Sequence, residues 1–335
     1  MSPSAYNSDA PSVEANGRGQ HPTRALTPGI YVPTLAFFDP ETDELDTKTV
    51  AKHVVRLAKS GVTGLAVQGS NGEAVHLTFE ERARVTTTTR LALDGAGFTD
   101  MPLIVGCGAQ STFEAISLCK QAASSGGDYA LVLPPSYYSG LFDQATVEGF
   151  FNDVADKSPI PIIIYNYPGA TGGLDLNSDT LINLSKHANI VGCKFTCGNT
   201  GKLGRVASAA KANGADFLCF SGSADFTLPS IAAGGAGVIG GLANVAPRAS
   251  VRLWELGRDP ERAEEARELQ SAVADGDWMM IQTGVVGVKA ALRDVFGYGG
   301  WARRPLPRLS EEKIAWIRDG MKGLMQVEKE LEDGS

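Results

Sequence analysis

The sequence predicts an α/β fold, a (β/α)8 TIM barrel followed by a C-terminal helical annex, and three observations carry that prediction. Eight short apolar runs, rich in Val and Ile and bounded by Gly or Pro, recur between residues 30 and 240. Runs of that kind are strands buried on both faces, as a parallel sheet requires. Amphipathic stretches with helix-start signals separate them, which gives the alternation of a barrel. A doubly wound sheet would instead need a G-x-G-x-x-G turn after its first strand, and only Gly29 stands near that place.

In chain order, residues 1–24 are mostly Ser, Pro, Asn, Gly and Ala and are expected to be a disordered lead-in. A mitochondrial transit segment is Arg-rich and poor in acids; here Asp9 and Glu14 offset Arg18 and Arg24, so a cytoplasmic chain is expected. Residues 25–246 are expected to form the catalytic barrel, with strands over 30–37, 64–67, 102–106, 129–133, 161–165, 189–194, 216–220 and 236–240. Thr78 with Glu81 and Ser111 with Glu114 have the spacing of capping boxes. Beyond Gly241 the strands stop. Asp259-Pro260 supplies an N-cap and a first-turn proline for a helix over 261–274, and further helices are expected over 283–295 and 311–331. This annex, residues 247–335, suits a subunit contact or a cover for the barrel.

Composition removes several function classes. The 39 glycines lack a period, which excludes collagen-like sequence. Net charge is −8 and no cationic run exceeds Arg303-Arg304, so no nucleic-acid partner is expected. The most apolar stretch, 230–246, is largely Gly and Ala with an Asn inside, so no membrane span is expected. Five scattered cysteines without a secretory segment point to a reducing compartment. Four histidines, none at ligand spacing from another His or a Cys, make a catalytic zinc site hard to build.

Barrel active sites form at the C-terminal ends of strands, so the residues there are the candidates. Lys194 ends the sixth apolar run. Partial desolvation at the barrel mouth would lower its pKa into the range for attack on a carbonyl, although a lysine snorkelling to water would look the same. Tyr165 ends the fifth run and suits a proton relay; buried tyrosines are more commonly core residues with a satisfied hydroxyl. The turn Gly69-Ser70-Asn71-Gly72-Glu73 offers consecutive backbone N–H groups to a small anion, or is a plain strand–loop turn. Tyr137-Tyr138 could be ordinary interface aromatics, and Thr196, Gly222 and Ser223 carry no signal alone.

Taken together, these motifs resemble the dihydrodipicolinate synthase / N-acetylneuraminate lyase superfamily of Schiff-base aldolases over nearly all of residues 27–325. The likeness rests on Gly-x-x-Gly-Glu at 69–73, Tyr-Asn-x-Pro at 165–168, Gly-x-Lys at 192–194 and Leu-Ala-Asn-Val at 242–245. It implies that Lys194 forms an imine with the 2-oxo carbon of pyruvate or a pyruvate-containing acid. It also implies that Tyr165 shuttles the proton, that Ser70 and Asn71 hold the C1 carboxylate, and that Ser70 touches the relay. Gly72, Thr196, Gly222, Ser223 and Ile239 would complete the substrate site, with Tyr137 or Tyr138 reaching a neighbouring subunit. No metal or cofactor is implied. A homotetramer, built as a dimer of dimers, is.

Two departures narrow the branch. Lysine-pathway synthases typically carry Thr-Thr where Ser70-Asn71 stands, and an Arg where Ala170 stands to bind the second substrate's carboxylate. Gly-Ser-Asn-Gly-Glu, Thr196 and the segment 297–306 are instead similar to 4-hydroxy-2-oxoglutarate aldolases and to fungal aldolases of 2-keto-3-deoxy sugar acids. The expectation is an aldolase that cleaves a 4-hydroxy-2-oxo acid to pyruvate and an aldehyde. The rivals are a dihydrodipicolinate synthase-type condensation and a catalytically silent pyruvate-binding barrel.

Overall fold

In a computed structural model, which describes residues 24–334, the eight apolar runs close into one parallel barrel in sequential order. The strands are β1 (Gly29–Pro33), β2 (Gly64–Val67), β3 (Leu103–Gly106) and β4 (Tyr129–Val132), then β5 (Ile162–Asn166), β6 (Ile190–Phe195), β7 (Leu218–Ser221) and β8 (Gly237–Ile239). Pairing of Gly29 with Gly237 seals the ring, and a Cβ on Gly237 would lie 1.9 Å from the Gly29 carbonyl oxygen, so only glycine fits that seam. The expected lead-in lies outside the described residues except for Arg24, whose guanidinium donates to Asp128 Oδ1 at 3.0 Å.

Alternation along each strand sorts the side chains. Tyr31, Ile104, Tyr129, Ile163, Tyr165, Phe220 and Ile239 fill the barrel interior, while Cys193 and Phe195 join the larger core between sheet and helices. Residues 26–27 close the floor: Leu26 N donates to the Tyr129 hydroxyl at 2.9 Å, and the Tyr31 hydroxyl donates to Thr27 O at 2.9 Å. Water therefore reaches the interior from the opposite end.

The helices α1 (Thr47–Lys59), α2 (Phe79–Gly95), α3 (Thr112–Ser124), α4 (Gln144–Lys157), α5 (Ser178–Leu184), α6 (Thr200–Ala212), α7 (Thr227–Ala232) and α8 (Pro247–Gly257) follow the strands in turn. Thr78 and Glu81 form the full reciprocal capping box of α2. At α3 only half of the expected box forms, with Ser111 accepting from Glu114 N. The sequence reading assigns no element to α8, although Pro247 occupies its first turn.

The stretch expected as annex from 247 begins with α8, the helix after β8, and continues as a pair of long helices, α9 (Ala263–Phe296) and α10 (Glu311–Asp333). Asp259 caps a short 3-10 turn leading into α9 rather than the α-helix itself. The two helices expected over 261–274 and 283–295 are one element with a kink at Gly284, whose φ of 60° and ψ of −154° suit glycine. Past the expected end at 274, Gly276-Asp277 lies within α9: a Cβ at Gly276 would meet Leu324 Cδ2 at 2.4 Å, and α10 packs into the space. No helix among the described residues is long and apolar enough to cross a membrane.

Candidate active site

Register places the two foremost candidates side by side. Tyr165 on β5 pairs with Lys194 on β6, which pairs in turn with Phe220 on β7. Since Cys193 and Phe195 face the helices, Lys194 points into the barrel, where it is 4% exposed. Its Nζ lies 4.3 Å from the centroid of the Tyr165 ring. Burial alone lowers its pKa from 10.5 to about 7. With no carboxylate paired to the ammonium among the described residues, a substantial neutral fraction exists near neutral pH.

Tyr165 is equally buried and stacks on Tyr167 with centroids 5.5 Å apart. Its hydroxyl lies 3.4 Å from Ser70 Oγ, within hydrogen-bond reach. Burial raises its pKa, with the hydrogen bonds toward Ser70 and Thr196 opposing that shift. The phenol is thus protonated and joined to the turn after β2.

That turn is held in an uncommon backbone shape. Gln68 (φ 58°) and Glu73 (φ 49°) are non-glycine residues in the left-handed region, a conformation that costs about 1–3 kcal/mol at each when not over-determined by its surroundings. Both are buried. Gln68 is gripped from α2, its side-chain amide donating to Arg82 O and to Thr86 Oγ1. Glu73 accepts from Lys289 Nζ, from Arg303 N at 2.9 Å and faces His76 Nδ1 at 3.0 Å. Between these anchors Ser70 is exposed and Asn71 half-buried, and the backbone N–H groups of Ser70 and Asn71 donate to no other group among the described residues. Gly72 and Gly106 are small for a reason: a Cβ on Gly72 would meet Gln68 N at 2.8 Å, and one on Gly106 would meet Gln68 O at 1.8 Å.

A cavity of about 420 Å³ opens at the C-terminal ends of the strands. Ser70 and Tyr165 line it together with Gln110, Ala170, Thr171 and, from the annex, Val285. Arg82 and His76 also line it, while Ala170 contributes only a methyl group.

The other sequence candidates fall around this centre. Thr196 follows β6 with its Oγ1 buried beside the Tyr165 hydroxyl, near enough to oppose the rise of the Tyr165 pKa. Gly222 lets it approach, since a Cβ there would meet Thr196 Oγ1 at 2.1 Å. The Ser223 hydroxyl donates to Asp225 Oδ1 at 2.6 Å. Ile239 packs in the barrel interior, fully buried, and does not line the cavity. Tyr137 and Tyr138 form an edge-to-face pair 4.9 Å apart, are exposed and do not line the cavity.

Sequence reasoning missed the annex residues that hold the loops. Gln270 Nε2 donates to Ala224 O at 3.1 Å, while Asp277 Oδ2 accepts from Ala224 N at 2.6 Å and Asp225 N at 3.1 Å. Burial, with Asp225 nearby, pushes the Asp277 carboxyl up to about 7. A lysine inside Val-Val-Gly-Val-Lys-Ala-Ala-Leu (285–292) was the available signal for Lys289, because a charge in an apolar stretch demands a partner. Asn244, the polar residue of Leu-Ala-Asn-Val, is fully buried and joins the end of β1 to α1. It donates to Pro33 O at 3.0 Å, and its Oδ1 lies 2.9 Å from His53 Nε2. Burial, reinforced by Arg56, lowers the His53 pKa to about 3, so the ring is neutral.

Comparison with known proteins gives concordant results. The model of the dihydrodipicolinate synthetase family matches residues 27–322. An Emericella nidulans protein named "Probable 4-hydroxy-2-oxoglutarate aldolase, mitochondrial" is 54% identical over 309 residues, spanning 92% of this chain and 98% of the relative. The L-threo-3-deoxy-hexylosonate aldolase of Hypocrea jecorina is 47% identical over 92% of this chain and 99% of its own length. Among solved structures, YagE of E. coli K12 in complex with pyruvate superposes with a TM-score of 0.82 at 27% identity, covering 90% of this chain and 99% of that one.

Proposed function

Since the chain belongs to the dihydrodipicolinate synthetase family, we propose that it is an aldolase, a carbon–carbon lyase, which cleaves a 4-hydroxy-2-oxo acid to pyruvate and an aldehyde through an imine on Lys194. The observation that carries this reading is a buried, unpaired lysine amine against the face of Tyr165. The names of the two fungal relatives support the reaction class.

In this mechanism the neutral Lys194 amine attacks C2, and loss of water leaves a protonated imine. The Ser70 hydroxyl and the unpartnered N–H groups of Ser70 and Asn71 receive the C1 carboxylate. Tyr165, linked to Ser70, carries protons between the carbinolamine and the substrate oxygens, and the C4 hydroxyl loses its proton along this relay. The C3–C4 electron pair then moves into the imine, which acts as the sink. The enamine is protonated at C3, and water releases pyruvate and the free lysine.

The reading predicts the pH profile. The nucleophile is the neutral amine, so kcat/KM should rise with pH through about 7 and level off above it. An ordinary lysine would keep it rising towards pH 10. Stopped assays across pH 5.5–9.5, on the order of eight points, read this directly.

The substrate within the class is tested by pyruvate release from 4-hydroxy-2-oxoglutarate and from L-threo-3-deoxy-hexulosonate under identical conditions. A hundredfold preference, about 2.7 kcal/mol of differential transition-state binding, names the substrate. Pyruvate from neither, with no borohydride-trapped pyruvate on Lys194, refutes the proposal. The cavity-lining Ala170 counts against condensation with a second carboxylate-bearing substrate.

We read the exposed Val75, Phe113, Tyr137, Tyr138 and Leu141 as the contact with a second copy in a homotetramer, with sedimentation equilibrium as its measure. The cytoplasm is the compartment expected from residues 1–24, against the word mitochondrial in the Emericella nidulans name. Microscopy of a C-terminal fluorescent fusion decides between them.

A further inference from the structure

We infer that Lys289, on the annex helix α9, is a positioning residue of the active site: its buried ion pair with Glu73 fixes the Ser70-Asn71 turn in the shape that receives the substrate's carboxylate. This rests on the reading of that turn given above. Lys289 and Glu73 have side chains only 1% exposed. A pair removed from water to that degree gains little net stability over a well-packed apolar pair, so stability alone is a poor reason for it.

What the pair does hold is backbone. Glu73 is the C-terminal left-handed residue of the turn, and the donors Lys289 Nζ and Arg303 N engage different oxygens of its carboxylate. Lys289 is itself fixed, donating to Trp301 O at 3.0 Å with its ammonium 4.6 Å from the centroid of Phe38. Arg303 closes the cluster through two bonds to Glu81, at 2.8 and 2.7 Å, at the start of α2. The far end of the turn, Gln68, is held by α2 alone. Charge points the same way. A buried carboxylate beside an anion-binding turn would repel its ligand, and Lys289 neutralises it.

The test is a double-mutant cycle between Lys289→Met and Ser70→Ala. One readout is the half-saturating pyruvate concentration for borohydride inactivation, and the other is kcat and KM for the 4-hydroxy-2-oxo acid cleaved. Lys289→Met should raise half-saturation and KM roughly tenfold or more, with a smaller change in kcat. Ser70→Ala should do likewise in the native chain but add less than about twofold in the Lys289→Met background, since both act through one turn. Lys289→Arg, which keeps the charge, should bring half-saturation back to within about threefold of native.

Additive effects, or an unchanged half-saturation in Lys289→Met, overturn the inference. If Lys289→Met does not fold, Glu73→Gln takes its place in the cycle with the same expectation. If Ser70→Ala has no effect in the native chain, the carboxylate reading of the turn fails instead. Absence of any pyruvate-dependent inactivation of the native protein refutes the imine itself.

Discussion

Lys194→Met is expected to lose turnover to background, and in the same sample to unfold at a higher temperature than the native protein. The first effect follows from removing the proposed nucleophile, for which no other buried amine stands beside Tyr165 among the described residues. Borohydride with pyruvate should leave no adduct on the variant. The second effect follows from the sign of the pKa shift. The folded value of about 7 lies below the ordinary 10.5, so burial disfavours the charged form. Such a group contributes its full share of stability only above pH 10.5 and loses it as pH falls through 7. At pH 7 the native chain is therefore less stable, by about 4 kcal/mol, than one with an uncharged side chain of similar shape. The gain in Lys194→Met should shrink as pH is raised towards 10. A variant that is inactive and also less stable at pH 7 would show that the amine is not desolvated as described.

Tyr165→Phe is expected to slow cleavage by roughly 10²–10⁴-fold, the usual worth of a positioned acid–base group. The change removes one oxygen and leaves the stack on Tyr167 in place, so the fold should persist. Ser70 also loses its neighbour at 3.4 Å, but it sits at the exposed mouth where water can replace the bond. Trapping of pyruvate on Lys194 should continue at a reduced rate, because the amine is intact while proton transfer is not. A rate within about threefold of native would remove Tyr165 from the relay.

Much of this site was legible in the sequence, for identifiable reasons. Strands buried on both faces announce themselves as unbroken apolar runs, and a lysine closing such a run stands out against them. Each of the eight predicted runs overlaps one of the observed strands. Residues 34–37, expected in the first strand, leave the sheet instead. They stay apolar because the loop after β1 is itself covered, Phe37 packing against His53 and Tyr298. The annex was harder. Gly276 marks a close helix crossing, which local pattern cannot distinguish from a break. Lys289 and Glu73 lie 216 residues apart, and no local spacing rule connects them. The turn's chemistry could be read from Gly-Ser-Asn-Gly-Glu, whereas the side chains that hold its shape could not.

That separation in sequence has a consequence during synthesis. The chain leaves the ribosome from its N-terminus, so the lysine strand emerges long before the segment carrying Lys289 and Arg303. The ring itself cannot close until β8 has paired with β1. Until then Lys194 is a hydrated amine with its ordinary pKa of 10.5, almost wholly protonated near neutral pH. On the proposed mechanism the amine gains its nucleophilic character only once the barrel has closed around it, so an incomplete or truncated product lacks the activated lysine.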